Sequence, residues 1–239
     1  VGVLGSVIFT TLLFVSVPPY ALLVLFARLF GRRAAYVTAK AWCAGMVFLV
    51  RIFCGLRYQL EGQENLPAEP CVVLIKHSSA YETFVQFLIL PRQSWVLKRE
   101  LMWVPFLGWA LATMKPIAIN RNAGGSAVEQ VIEQGKARLA EGLWVNIFPE
   151  GTRLPMGETR RYGMSGTLLA QRDNKLILPI AHNAGDFWPR RGLHKRPGTV
   201  RFVMGPVVDP AGRNVREVNA EIQTWMENTV AVLRATPDS

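Results

Sequence analysis

The sequence predicts an α/β domain, a sheet covered by helices, joined to an N-terminal membrane-embedded helical segment. Three observations lead to this. Residues 1–27 hold no charged side chain. From residue 56 onward, short apolar runs of strand length alternate with segments of helical pattern. Three of those runs end in polar tips, at His77, at Asn120-Arg121 and at Glu150 to Arg153. A natural division places the membrane-associated helices in residues 1–55 and the α/β domain in 56–239.

Residues 1–27 are long enough to cross a bilayer, which takes about 20 apolar residues. They lack a basic leader and a small-residue cleavage site, so the segment reads as retained. Pro18-Pro19 should kink or split its helix, leaving either one bent span or two segments dipping into one leaflet. Arg28, Arg32 and Arg33 follow and belong on the cytoplasmic side. Residues 34–55 form a second helical stretch. Its Lys40 and Arg51 suit an interfacial or partly embedded helix better than a full span.

Beyond residue 56 the pattern gives strands at 57–60 and 71–75, then a helix at 83–90. A strand at 94–97 and a helix at 104–114 come next, followed by a strand at 117–120. The helix at 126–140 has a clear start, Ser126-x-x-Glu129, an apolar stripe of Val128, Val131, Ile132 and Leu139, and a stop at Gly142. Strands at 143–148, 176–181 and 199–204 precede a last helix opened by Asn214 and Glu217. Val215, Val218, Ile222, Trp225 and Leu233 should face inward there.

Composition narrows the function. The chain of 239 residues has a formal net charge of +10 and half its residues are hydrophobic. Such a balance favours anionic partners: nucleic acid, acidic lipid, or a phosphate-bearing cofactor or carrier protein. Cys43, Cys54 and Cys71 lack CxxC spacing, and three cysteines make no disulfide framework. Neither they nor His77, His182 and His194 form a cluster of metal-ligand spacing, so no metal is expected. A reducing cytosolic setting follows.

The stretch Lys76-His77-Ser78-Ser79-Ala80-Tyr81-Glu82 joins a buried strand to a helix. With His77 in the turn and Glu82 in the first helical turn, the carboxylate folds back on the imidazole and strengthens it as a base. Ser79-x-x-Glu82 equally fits a capping box, with no chemistry implied. Phe148-Pro149-Glu150-Gly151-Thr152-Arg153 is a tight turn after a buried strand, where α/β folds place their sites. Arginine's planar fork suits phosphate; an ordinary surface turn is the bland alternative. Ile117 to Arg121 is another strand ending in an arginine. In Leu178-Pro179-Ile180-Ala181, the proline marks a sheet edge or a break beside a cleft. The segment from Phe187 to Arg196 mixes aromatics with four Arg/Lys residues. It suits anionic headgroups, an acidic carrier protein, or plain solvent.

Taken in order, His77-x4-Glu82, Ile117 to Arg121, Phe148 to Arg153 and Leu178 to Ala181 resemble the four blocks of the glycerolipid acyltransferase family. Within it the chain looks most like the bacterial 1-acyl-sn-glycerol-3-phosphate (lysophosphatidic acid) acyltransferases. The resemblance covers roughly residues 56–210, and Glu82 stands where the family usually has Asp. It implies a glycerophosphate-acyltransferase-like fold at a bacterial inner membrane, with the catalytic domain facing the cytoplasm. It also implies transfer of a fatty acyl group from acyl-CoA or acyl carrier protein to the sn-2 hydroxyl of lysophosphatidic acid. Those thioesters are co-substrates, and no cofactor is expected. His77 and Glu82 would be catalytic. Arg121 and Arg153, with Lys98 as a third cation, would grip the acceptor phosphate. Glu150, Gly151, Thr152 and Pro179 would line the acceptor site.

Three alternatives stand beside this reading, and the first would use the same acyl-transfer machinery. The same chemistry could act on another lysophospholipid or a lyso-aminolipid. A basic, membrane-tethered binder would explain the charge, but no nucleic-acid motif is visible and a binder needs no base–carboxylate pair. A serine hydrolase needs a nucleophile elbow, and Gly163-Met164-Ser165-Gly166-Thr167 fails at its last position.

Overall fold

The computed structural model describes residues 2–120 and 125–236. Arg121 therefore lies outside the described residues.

Two long helices open the chain, α1 (Val3–Arg28) and α2 (Arg32–Cys54). Both are long and apolar enough to cross a membrane by length and composition, with mean hydropathies of 2.1 and 1.6. The expected interruption at Pro18-Pro19 does not split α1, which is helical through both prolines. In apolar surroundings, ending the helix there would strand more backbone groups than the two missing N–H donors do. Trp42 Nε1 on α2 donates to Ser16 Oγ at 3.0 Å, tying the two helices together beside the prolines.

The sheet is built from β1 (Leu56–Glu61), β2 (Val72–Ile75), β3 (Gln93–Lys98), β4 (Ile117–Ile119), β5 (Trp144–Ile147), β6 (Ile177–His182) and β7 (Gly198–Met204). Its order is β1-β7-β6-β2-β5-β3-β4. Only β6 and β7 pair antiparallel. The five strands from β6 to β4 thus point the same way, and their C-terminal ends form one rim.

Both faces are covered, which is why the parallel strands read as continuous apolar runs. Val73 and Ile75 of β2 point into a cluster with Met46 and Val50 of α2 and with α3 (Tyr81–Ile89). Val72 and Leu74 face the other way, toward α5 (Gly125–Ala140), α6 (Ser165–Arg172) and α8 (Val215–Ala235). Asn214 caps α8 as its sequence suggests, its side chain accepting from Arg216 N at 2.9 Å.

Three elements depart from the sequence pattern. The helix expected at 104–114 begins only at α4 (Leu107–Thr113), after a 3-10 turn over Arg99–Trp103. Pro105 holds Val104 extended (φ −69°, ψ 119°), which blocks an earlier start. Helix α6 lies where the failed nucleophile elbow was noted; its Gly166 hides the apolar stripe but lets Leu74 and Ile147 approach closely. The four-residue α7 (Ala184–Phe187) is too short to show a period.

Pro179 does not mark a sheet edge, because β6 lies inside the sheet between β7 and β2. The carbonyls of Leu176 and Ile180 accept from β2. Alternation turns Pro179 to the opposite side, where the β7 ladder ends and Gly205 N donates to Pro179 O at 2.9 Å. The missing donor falls at that break.

Candidate active site

The rim of the parallel strands brings the turn after β2 against the turn after β5. His77 leaves β2 at its C-terminal end. Its Nδ1 lies 2.9 Å from Oε1 of Glu82, in the first turn of α3. The same oxygen accepts from Ser79 N at 2.9 Å and Ser78 N at 3.1 Å. Ser79 Oγ in turn accepts from Tyr81 N at 3.1 Å. The capping box and the histidine–carboxylate pair are therefore one structure, with a single carboxylate serving both.

Glu82 is fully buried. Burial by itself pushes its carboxyl up. The His77 hydrogen bond, the two nearby imidazoles and the Ser79 amide outweigh that and hold it below the usual carboxylate range. An ionised Glu82 makes His77 Nδ1 the donor and leaves Nε2 with a lone pair. Nε2 has no partner among the described residues. The His77 ring lies flat on Phe148, with centroids 3.9 Å apart and planes at 19°. Such an imidazole is oriented, supported from behind and half-buried, an arrangement suited to taking a proton from a bound hydroxyl.

Two backbone contacts lock the turns together. His77 N donates to Glu150 Oε2 at 2.6 Å, and Leu154 N donates to His77 O at 2.9 Å. Arg153 precedes Leu154, so its backbone stands directly beside His77. Its half-buried side chain makes no ion pair among the described residues. Gly151 closes the turn with its N–H on Phe148 O at 3.0 Å and φ of +70°, a conformation that favours glycine. Thr152 is half-buried in the same turn.

Glu150 is expected from the sequence to help shape the acceptor site, and the structure places its side chain away from open solvent. It is buried beneath the turn, and Lys76 Nζ sits 2.7 Å from its Oε1. The same ammonium lies 2.7 Å from Oε1 of Glu227 on α8, which also accepts from Tyr162 OH at 2.8 Å. One cation thus faces two carboxylates. Burial pushes Glu150 up to about 7 against the pull of Lys76 and the His77 amide. Its role is to brace the His77 turn from below.

The remaining residues divide. Lys98 is exposed at the end of β3 on the same rim, 3.2 Å from Glu100 Oε1. Pro179 is buried within β6, short of the rim, and reaches no open surface. What β6 sends to the site is His182, which sequence reasoning passed over. It is fully buried, its Nε2 lies 2.7 Å from Lys76 O, and its Nδ1 accepts from Ala184 N at 3.2 Å. That pattern fixes the Nε2–H tautomer, and burial lowers the imidazole's pKa. Its signal was a histidine directly after a buried strand, the pattern that singled out His77. Lys76 showed a weaker one, a charge directly following five apolar residues. Glu227 showed none, being one polar position beside the buried stripe of α8.

Known proteins extend the pattern. The sequence profile of the acyltransferase family matches residues 57–183. A 1-acyl-sn-glycerol-3-phosphate acyltransferase of Pseudomonas aeruginosa is 45% identical over 203 residues, which is 83% of this chain and 79% of that protein. The human 1-acyl-sn-glycerol-3-phosphate acyltransferase beta is 25% identical over 93% of this chain and 81% of its own length. Among solved structures, the 1-acyl-sn-glycerophosphate (LPA) acyltransferase PlsC of Thermotoga maritima superposes with a TM-score of 0.81. It covers 99% of this chain and 97% of its own, at 21% identity.

Proposed function

The chain belongs to the acyltransferase family, and on that premise we propose that it acylates the sn-2 hydroxyl of 1-acyl-sn-glycerol-3-phosphate to form phosphatidic acid. The acyl donor is a thioester of coenzyme A or of acyl carrier protein. The observation that carries this reading is the 2.9 Å contact between His77 Nδ1 and Glu82 Oε1, which leaves Nε2 as the outward base.

In this reading the acceptor hydroxyl approaches His77 Nε2 and loses its proton there as its oxygen attacks the thioester carbonyl. Glu82 holds the ring and stabilises the imidazolium that forms. The tetrahedral adduct collapses, the carbon–sulfur bond breaks, and the departing thiolate takes the proton back from His77. Both substrates meet directly, so the step needs no enzyme nucleophile. Arg153 receives the acceptor phosphate beside His77, with Lys98 from the neighbouring strand end and Arg121 adding charge.

Residues 1–55 form the membrane seat and 56–239 the catalytic part. Helix α1 is about 39 Å long at 1.5 Å per residue, and it is bonded to the rest of the chain near both ends. Lys195 N and Nζ donate to Ser6 Oγ at 2.9 Å and Thr10 Oγ1 at 2.8 Å. Ala21 and Val24 share a buried cluster with Phe87 and Ala110. A helix lying along its domain suits insertion into one leaflet, here the cytoplasmic side of a bacterial inner membrane.

The test is an acceptor panel. Purified protein in lipid vesicles is offered lauroyl to oleoyl thioesters of coenzyme A and carrier protein. The acceptors are lysophosphatidic acid, other lysophospholipids and a lyso-aminolipid, with mass detection of products. Phosphatidic acid is the expected product. A preference for another lysolipid would move the acceptor, and no product with any would reject the proposal.

A further inference from the structure

The segment joining β3 to α4 and the first turn of α4 carry exposed apolar side chains that the proposed proton transfer at His77 does not use. Trp103 is 69% and Trp109 49% exposed, and Leu101 and Val104 stand out beside them. Soluble surfaces tolerate single apolar residues, but a contiguous aromatic group marks a contact site.

The patch is preformed. Gly108 N donates to Val104 O at 2.7 Å, and a Cβ at Gly108 would lie 2.2 Å from Met102 O. The loop can close this tightly only over glycine. The Phe106 and Trp109 rings sit 5.1 Å apart, and Phe106 packs inward against the buried cluster of Ala21, Val24 and Ala110.

Its position also matters. α4 packs directly on α1, and Ala110 is buried together with Ala21 and Val24. On α1 itself Leu22, Leu23 and Phe26 are likewise exposed. Lys98 and Arg99, both exposed, enter the loop from the rim that carries His77. Tryptophans flanked by cations beside an apolar helix are the composition of a headgroup layer contact.

We infer that residues 101–109 form a third membrane-contacting element, which seats Trp103 and Trp109 in the headgroup layer of the leaflet that receives α1. The inference rests on the reading that α1 enters the membrane. This element holds the sheet rim toward the lipid surface, so that the acceptor reaches His77 from the bilayer.

Depth-resolved quenching tests it. Trp103→Cys and Trp109→Cys are made in the full chain, whose Cys43, Cys54 and Cys71 are buried. Phe14→Cys on α1 and Ala220→Cys on α8 serve as the embedded and aqueous controls, both at exposed positions. Each variant is labelled with a fluorophore, reconstituted in phosphatidylcholine–phosphatidylglycerol vesicles and quenched by nitroxide lipids. Labels at 103 and 109 are expected at a depth of roughly 5–10 Å, as for interfacial segments. If they are quenched no more than the label at 220 while the label at 14 is quenched, the inference falls and the seat of α1 stands. If the label at 14 also stays unquenched, the membrane reading and the inference fall together. Shielding of 103 by acyl carrier protein without lipid quenching would assign the patch to a protein partner and overturn the inference.

Discussion

Shortening Glu82 by one methylene, in Glu82→Asp, probes the pair at the centre of the site. Three donors converge on Glu82 Oε1: His77 Nδ1 and Ser79 N at 2.9 Å, and Ser78 N at 3.1 Å. The change withdraws the carboxylate by about 1.3 Å. All three contacts then exceed hydrogen-bonding distance unless the start of α3 moves inward. Partial recovery leaves a net cost of about 1–3 kcal/mol, or roughly 2–4 °C in melting temperature per kcal/mol at this chain length. A base misplaced by about 1 Å loses about 10²-fold in kcat. The KM for the acceptor should hold, since the Arg153 turn is untouched. Glu82→Gln keeps the reach and removes the charge, so it should lose about 10²–10⁴-fold in kcat with a smaller change in stability. Thiol release followed under saturating thioester measures kcat and KM, and thermal denaturation measures stability. Wild-type kcat in Glu82→Asp would refute the reasoning, because the contact would then not set the rate.

Other consequences follow from the same geometry. Arg153→Ala should raise KM for lysophosphatidic acid while sparing a phosphate-free monoacylglycerol; equal damage to both would remove Arg153 from phosphate binding. Glu150 titrates near 7 in the fold, against an ordinary value of 4.5. The folded state therefore holds an extra proton between those values, and the stability linked to it is lost as pH rises from about 4.5 through about 7. Glu150→Gln should flatten that part of the melting-temperature profile, and an unchanged profile would assign the pH dependence elsewhere. Lys76→Met strands Glu150 and Glu227 beside each other and should cost about 3–5 kcal/mol. That loss should be larger at pH 8 than at pH 6, where Glu150 can take a proton; denaturant melts at the two values check it.

The legible part of the site was local in sequence. His77 and Glu82 share one strand-to-helix junction, so a turn alone brings them together, and Arg153 lies in a compact turn after a buried strand. Apolar runs announced the central strands β2, β5 and β6 because they are buried on both faces, while β7 showed an alternating pattern with one buried face. Long-range links were not legible. Lys76 meets Glu227 across 151 positions, and only the sheet order and the packing of α8 bring them together. Glu150 looked like a surface residue because its turn is exposed, yet its side chain folds under the turn to reach the His77 amide. Pro179 was misplaced for a related reason: a proline is excluded only from the ladder it would donate to, and the β7 ladder stops there. Residues 104–106 resembled the start of a helix by composition, and Pro105 alone signalled the break.

The most direct measurement is single-turnover acyl transfer by His77→Ala, with lysophosphatidic acid in vesicles, an acyl thioester, and mass detection of phosphatidic acid. His77 is half-buried at the rim, so the variant should fold and bind vesicles as the wild type does. Proton removal by a positioned base is worth about 10²–10⁴-fold. The account predicts a loss of at least that order in the rate, with acceptor binding retained. A His77→Ala protein that forms phosphatidic acid at the wild-type rate would contradict it.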